Sequence, residues 1–563
     1  MSLFEPSLFR QKFPLIINHD EGSATEQPII YFDNAATNQK PHCVIKVLSD
    51  FYQNKNANVH RGSHLLSANA TKEFEMAREV VQKHINAKQT CEIIWTKGTT
   101  EAINIVANSW GLDQLTAKDE IVISYAEHHA NIVPWQMVAE RTGAKIKVLP
   151  LNKSGCIDEQ QIENFIGKKT RLVCVAHISN VIGKINPLKK IITRAKQVGA
   201  ITLIDGAQAI AHCDLDVQAL DCDFYVFSAH KAYSSMGVGV LYGKAHYLNN
   251  MPPYQLGGEM IEKVTIEKST FNQLPFKFEA GTPDVAGVIA FAQALRFLQK
   301  HQQGINAFEQ KLTQYAFKQL NAIDAVTLIV EGCPDIPLFS FTVKGHHNQD
   351  VASNLDSKGI AVRSGHHCAM PLMDYLNING CIRVSLAAYN SFAEIDYFIK
   401  CLIDIVNDNP SADDSIALIS TKTDEKNAFV GSDEIVQLFS TIKSWDTRHR
   451  EIMFLGKKLE RLPVDKRNPQ NLIHGCESLA WLEGELDGQG VFHFIADSDA
   501  KIIRGLLVIV LSAFNHKTAE KILAFDIEVF FNQLGLMQHL SPSRGNGVKA
   551  IVDKIRMFAE KNN

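Results

Sequence analysis

Between about residue 90 and residue 245 the chain repeats one rhythm: a short apolar run, then a segment long enough for a crossover helix. The runs are Ile121–Ser124, Ile146–Leu149, Arg171–Ala176, Ile201–Asp205 and Phe224–Ser228. Mostly apolar runs of this length suit strands buried on both faces, and parallel strands need such crossovers. The rhythm predicts an α/β layer structure around a mainly parallel sheet. A smaller mixed region is expected from about 284 to 407, opening on a helix at Val285–Gln299 and closing on one at Phe392–Val406.

The chain has 563 residues, more than one ordinary domain holds. Asn407 to Glu434 is rich in Asp, Ser, Thr, Asn and Lys, includes Pro410 and Gly431, and reads as a linker. If fully flexible, its two dozen or so residues have a root-mean-square span of roughly 25–30 Å. We expect one domain over 1–406, a linker over 407–432 and a second domain over 433–563. The second has helical patterns at Ile435–Ile442, at Thr447–Leu462 before Pro463, at Arg504–Phe514 and at Gly547–Glu560. Trp481–Leu486 and Val491–Ala496 read as its strands, so an α+β domain is expected.

Several classes are set aside on composition. Net charge is −4 with no long basic run, so nucleic acid is not an expected partner. No stretch approaches the ~18 continuous apolar residues of a membrane span; Ile502–Phe514 is too short and contains Arg504. Met1 to Phe13 has no sustained apolar core, which argues against a secretory signal. The 11 cysteines include no Cys-x-x-Cys, which fits neither a disulfide framework nor a zinc ribbon, and no metal site is expected. A cytoplasmic, multidomain enzyme is the expectation.

Lys231 ends the apolar run Asp223–Ser228 through Ala229 and His230. A lysine at the mouth of a buried strand either snorkels to water or is kept there for its amine. Ser228 and His230 are suited to hold an anion, and Asp205-Gly206-Ala207-Gln208 closes a neighbouring run. Gly98-Thr99-Thr100-Glu101 follows Ile93-Ile94-Trp95 and precedes a helical pattern, in outline a phosphate cradle or an ordinary N-cap. Glu127–Asn131 and Ala176–Asn180 close two more runs. Polar loops at successive strand ends are where an open α/β sheet collects its ligand. A Schiff-base lysine, an acid for a pyridinium nitrogen and donors for a phosphate are what pyridoxal phosphate requires.

On these stretches, residues from about 28 to 405 resemble the class V aminotransferase family, and within it the group II (SufS/CsdA-type) cysteine desulfurases. The matching runs are Tyr31–Thr37, His60–Gly62, Gly98–Asn104, Glu127–Trp135, Asp205–Gln208, Ser228–Lys231, Phe278–Pro283, Arg363–Cys368 and Arg383–Ser385. The resemblance implies a fold type I pyridoxal-phosphate-dependent transferase, with a large, mainly parallel sheet domain and a small α/β domain. It implies that Lys231 carries the cofactor and moves protons, that Asp205 pairs with the pyridinium nitrogen, that His128 stacks on the ring and that Gln208 reaches its phenolic oxygen. Thr99, Thr100, Ser228 and His230 hold the phosphate, with Thr282 supplied by the second copy of a homodimer. Arg383 clamps the substrate carboxylate, with Asn180 and Arg363 as further contacts. The chain departs from the family at Ser234-Ser235-Met236, where Gly-Pro is usual, at Lys97 for Arg, and at Lys184 for Thr.

Cys368 lies near Arg363, His366 and His367, positive or potentially positive neighbours that favour a thiolate. The resemblance gives it the attack on the sulfur of bound L-cysteine, leaving L-alanine and a persulfide. Residues from about 433 to 563 resemble the SufE/CsdE sulfur acceptors through Gly475–Trp481, Asp497–Ala500, Arg504–Leu506 and Leu540–Gly547. There the matching cysteine, Cys476, receives the sulfur; Glu477 stands where Gln is usual, and Arg544 is a possible counter-charge. The expectation is a desulfurase fused to its own acceptor, delivering sulfur to iron–sulfur scaffold proteins. Selenocysteine lyase is the alternative within the fold, and an idle sulfur-carrier scaffold is the alternative outside it.

Overall fold

The computed structural model describes residues 4–20, 29–407, 431–442, 445–473, 478–536 and 542–562. Most of the expected linker, together with Cys476 and Glu477, lies outside the described residues, and so does the side chain of Arg544. The chain divides into two compact units, one of residues 1–344 and 358–403, the other of 345–357 and 404–563.

The first unit is built on a seven-stranded sheet. Its strands are β1 (Ile93–Thr96), β2 (Glu120–Ser124), β3 (Lys145–Leu149), β4 (Thr170–Ala176), β5 (Ile201–Asp205), β6 (Phe224–Ser228) and β7 (Gly239–Gly243). The spatial order is β1-β7-β6-β5-β4-β2-β3. All neighbours are parallel except β7, which runs antiparallel to both β1 and β6. The order reverses between β4 and β2, and a crevice opens there at the strands' C-terminal ends.

The central strands are mostly apolar because both faces are covered, whereas edge strand β3 carries Lys145 and Lys147. Val122, Val173, Val175, Ile204, Phe227 and Val240 pack into one core with helices Leu65–His84 and Val285–Asn321. Ile121, Ile123, Leu172, Leu203, Val226 and Leu241, the alternate residues, pack into another with helices Thr99–Val106 and Val133–Thr142. The result is three layers, helix, sheet and helix. Helix Val285–Asn321 has 37 residues and continues well beyond the expected Gln299. A smaller antiparallel sheet follows: β8 (Val326–Leu328), β9 (Leu338–Val343), β10 (Arg363–Gly365) and β11 (Cys381–Ser385), in the order β8-β9-β11-β10. Helix Phe392–Asn407 closes this part of the chain.

The second unit pairs strands Ala480–Leu486 and Phe492–Ser498 as an antiparallel hairpin. The apolar stretch read as too short for a membrane is the buried helix Lys501–Phe514. Helix Trp445–Lys458 crosses it closely, since a Cβ on Gly505 would run into the Ile452 carbonyl oxygen and one on Gly456 into that of Lys501. Buried Asp497 is ion-paired with Arg461 (3.2 Å), Arg467 (3.1 Å) and Arg504 (3.5 Å), which anchors the hairpin to its neighbours. Two short helices not expected from the sequence, Ala519–Ala524 and Ile527–Gln533, precede the final helix Pro542–Lys561. Among the described residues no helix is long and apolar enough to cross a membrane.

Candidate active site

The crevice holds a cavity of about 260 Å³. Loops after β1, β2, β4, β5 and β6 bring Thr99, Thr100, His128, Asn180, Asp205, Gln208, Ser228, His230 and Lys231 to its wall. The small sheet and the loop after β10 add Arg363, Arg383 and Cys368. Of the catalytic, cofactor-binding and substrate-binding residues expected in the first domain, only Thr282 is outside this wall; it is exposed.

The anion end is drawn tight by hydrogen bonds across the sheet. Ser228 Oγ accepts the Thr99 backbone N–H at 2.8 Å and lies 2.8 Å from the Thr99 hydroxyl. This contact crosses β7 at Gly239, where a Cβ would strike the Gly98 backbone. Deeper in, burial raises the Asp205 pKa, which the Ala207 N–H (2.9 Å) and Lys231 partly oppose. Burial also pulls Lys231 down to about 8, with Asp205 opposing that fall. His128 is pulled to about 4 by burial and then by Lys231, so its ring is neutral at ordinary pH. Gln208 donates to the Ala35 carbonyl at 2.9 Å.

Another part of the wall is built on a cross-strand pair. Arg363 of β10 lies opposite Arg383 of β11, and like charges in that position repel. Asp33 resolves the conflict by binding both, at 3.0 Å to each guanidinium. Its place in Tyr31–Thr37 was visible in the sequence, but its role was not: nothing local marks a residue whose two partners lie 330 and 350 positions away. Arg383 also donates to the Asn180 carbonyl at 2.9 Å.

Cys368 sits on a loop in which His367 and Cys368 both have left-handed φ, 53° and 56°. His366 Nδ1 accepts the Cys368 N–H at 3.1 Å. The expectation that His367 adds positive charge beside the thiol does not hold. Its ring is buried, its pKa is driven well below the ordinary range, and Nε2 donates to the Cys381 carbonyl at 3.1 Å. Arg363 shares the single carboxylate of Asp33 with Arg383, so this group keeps a net positive charge.

The cavity suits pyridoxal phosphate. His230 Nδ1, Asn180 Oδ1 and Arg383 Nε are buried at its wall without hydrogen-bond partners among the described residues, a state that a polar ligand relieves. A lysine, a buried carboxylate and a hydroxyl-lined helix N-terminus are the donor set this cofactor uses.

Residues 30–398 match the family model for the aminotransferase class V, and residues 433–559 match that of the Fe-S metabolism associated domain, SufE. The class is therefore defined: the chain belongs to the class V aminotransferases, pyridoxal-phosphate enzymes, and within them to the cysteine desulfurases, with a SufE domain at its C-terminal end. It is 47% identical over 394 residues to a probable cysteine desulfurase of Vibrio cholerae, covering 70% of this chain and 96% of that protein. A cysteine desulfurase of Escherichia coli is 46% identical over 404 residues, 71% of this chain and 98% of its own. Among solved structures, the S-sulfonic acid form of the cysteine desulfurase CsdA from Escherichia coli superposes with a TM-score of 0.66 at 38% identity, covering 72% of this chain and 99% of that one. The apo cysteine desulfurase of Thermococcus onnurineus gives 0.67 at 35%, with the same coverage.

Proposed function

We propose that the chain converts L-cysteine to L-alanine, takes the sulfur as a persulfide on Cys368, and passes it to Cys476 of its own SufE domain. The observation that supports this best is that Lys231, Asp205, Arg383 and Cys368 line a single cavity. Pyridoxal phosphate bound there supplies the electron sink that loosens the bonds around the substrate's α-carbon. Thr99, Thr100, Ser228 and His230 would hold its phosphate, His128 would stack on its ring, Asp205 would pair with its nitrogen and Gln208 would reach its phenolic oxygen. Lys231 is tuned by burial to exchange a proton near pH 8 and moves protons at the substrate carbon. Arg383 presents the planar fork that binds a carboxylate through two parallel bonds, with Asn180 and Arg363 beside it.

The Cys368 thiolate attacks the substrate sulfur. An S–S bond forms as the C–S bond breaks, and the carbon side leaves, once protonated, as alanine. Thiol–persulfide exchange then moves the outer sulfur to Cys476, releasing the Cys368 thiolate for another turn. We assign residues 1–406 to the desulfurase, 407–432 to the tether and 433–563 to the acceptor. The working form is a cytoplasmic homodimer in which Thr282 of the second copy completes the phosphate site, and iron–sulfur scaffold proteins receive the sulfur. The cysteines of the described residues are free, as a reducing compartment keeps them. The names of the relatives do not favour the selenocysteine lyase alternative.

The test is intact mass spectrometry after addition of L-cysteine, followed by peptide mapping. One extra sulfur atom is expected on Cys368 and on Cys476, and on neither in Lys231→Ala. Wild-type protein that labels neither cysteine ends the proposal; label confined to Cys368 ends the relay.

A further inference from the structure

The loop that carries Cys368 is held in a conformation its own residues disfavour. Two successive side-chain-bearing residues, His367 and Cys368, are left-handed, and such a pair persists only where the surroundings over-determine it. Much of that determination comes from one residue outside the loop. The His129 backbone N–H donates to the Cys368 carbonyl at 2.7 Å. The His129 side chain reaches two residues further, where Nε2 accepts the Met370 N–H at 3.0 Å. Its ring also lies over that of His366, with centroids 5.7 Å apart and planes 32° apart, and His366 in turn binds the Cys368 N–H. Asn180 adds a bond to the His367 carbonyl at 2.9 Å.

His129 is a firm anchor because its own segment is fixed. Buried Glu127 accepts from Ser124 Oγ at 2.5 Å and from Asn131 Nδ2 at 2.7 Å, and Asn131 Oδ1 accepts from Trp135 Nε1 at 3.0 Å. The residue before His129 is His128, on the cavity wall, whereas His129 itself does not line the cavity. One side of this short segment therefore faces the cofactor site, and the other grips the nucleophile's loop.

We infer that His129 is a positioning residue for sulfur transfer, setting where the Cys368 thiol stands relative to the substrate sulfur. For Nε2 to accept from Met370, the imidazole is neutral with its proton on Nδ1. A nucleophile displaced by about 1 Å loses on the order of a hundredfold in rate, so loss of this bond is felt in the transfer step and not in substrate capture. The inference rests on the proposed role of Cys368, and the experiment separates the two.

The experiment compares wild-type holoenzyme with His129→Ala and His129→Gln, whose side-chain carbonyl can stand in for Nε2. Three quantities are read: the cofactor's visible band with its change on adding L-cysteine, the single-turnover rate of persulfide formation on Cys368, and the alkylation rate of Cys368 by iodoacetamide in the resting enzyme. In His129→Ala the band and its response to cysteine are expected to stay within about threefold of wild type, while persulfide formation slows by about tenfold or more. His129→Gln is expected to recover most of that rate, and alkylation is expected to shift several-fold in Ala and not in Gln. Persulfide formation at the wild-type rate in His129→Ala overturns the inference. So does loss of the cofactor band in that variant, or a Gln variant as slow as Ala. If wild type itself places no sulfur on Cys368, the role of Cys368 fails, and alkylation alone decides whether His129 holds the loop.

Discussion

Burial gives Lys231 a pKa of about 8, and the consequence for cofactor capture has a definite sign. Only the neutral amine attacks the aldehyde of pyridoxal phosphate. With a pKa of 8 about a tenth of the amine is neutral at pH 7 and about nine-tenths at pH 9, whereas an ordinary lysine near 10.4 is still mostly charged at both. The rate at which cofactor-stripped protein recovers its visible band should therefore rise about tenfold from pH 7 to pH 9 and level off just above. A rate that keeps climbing tenfold per pH unit past 9 would contradict this, and would place the amine in water. At this scale most of the cavity wall was legible, because strand-end motifs carry their chemistry in neighbouring residues. Asp33 and the neutral state of His367 were not. The first depends on two arginines brought from far along the chain, and the second on the depth at which a loop is buried.

At the scale of elements, what could be read was periodicity, and what could not was set by contacts. Strands β2 to β6 fall within a residue of the apolar runs that announced them. Strand β7 escaped notice because glycines bracket it, at Gly239 and Gly243, and glycine in sequence reads as a turn. The helix beginning at Val285 was expected to stop near Gln299, ahead of a polar stretch and Gly304. It continues because Ile305, Leu312, Ala316 and Leu320 extend its buried apolar face, and the ring of Phe4 packs in the space that a Cβ on Gly304 would fill. In the second unit Gly505 works the same way for the crossing of two helices. Helix propensity alone favours Gly505→Ala by about 1 kcal/mol. The clash with the Ile452 carbonyl should outweigh that, for a net loss of about 1–3 kcal/mol. Calorimetry should show a lower transition for the SufE domain, with the proposed persulfide formation on Cys368 unchanged. A raised transition would mean that the two helices can part without cost.

For the whole molecule, the proposed relay from Cys368 to Cys476 places donor and acceptor on one chain. A short tether holds its ends at an effective concentration in the millimolar range, far above that of two separate proteins at micromolar levels. A protease site placed within residues 408–430 and cut after folding should leave sulfur loading of Cys368 intact. Loading of Cys476 should then become dependent on protein concentration and fall about tenfold or more at micromolar protein. Concentration-independent loading after cleavage would show that the tether contributes nothing.

The contact between Thr99 and Ser228 bears on how such a chain comes to hold its cofactor. The two hydroxyls stand 129 residues apart in sequence, and a strand added after both of them lies between. On the role proposed for these residues, the two halves of the phosphate site meet only across β7, once it has been inserted between them. Contacts of such long range form late, once the loops that separate them have closed. If Thr99 and Ser228 hold the phosphate as proposed, the complete phosphate site exists only once Gly243 has been made and β7 is in place, so the cofactor meets an assembled sheet.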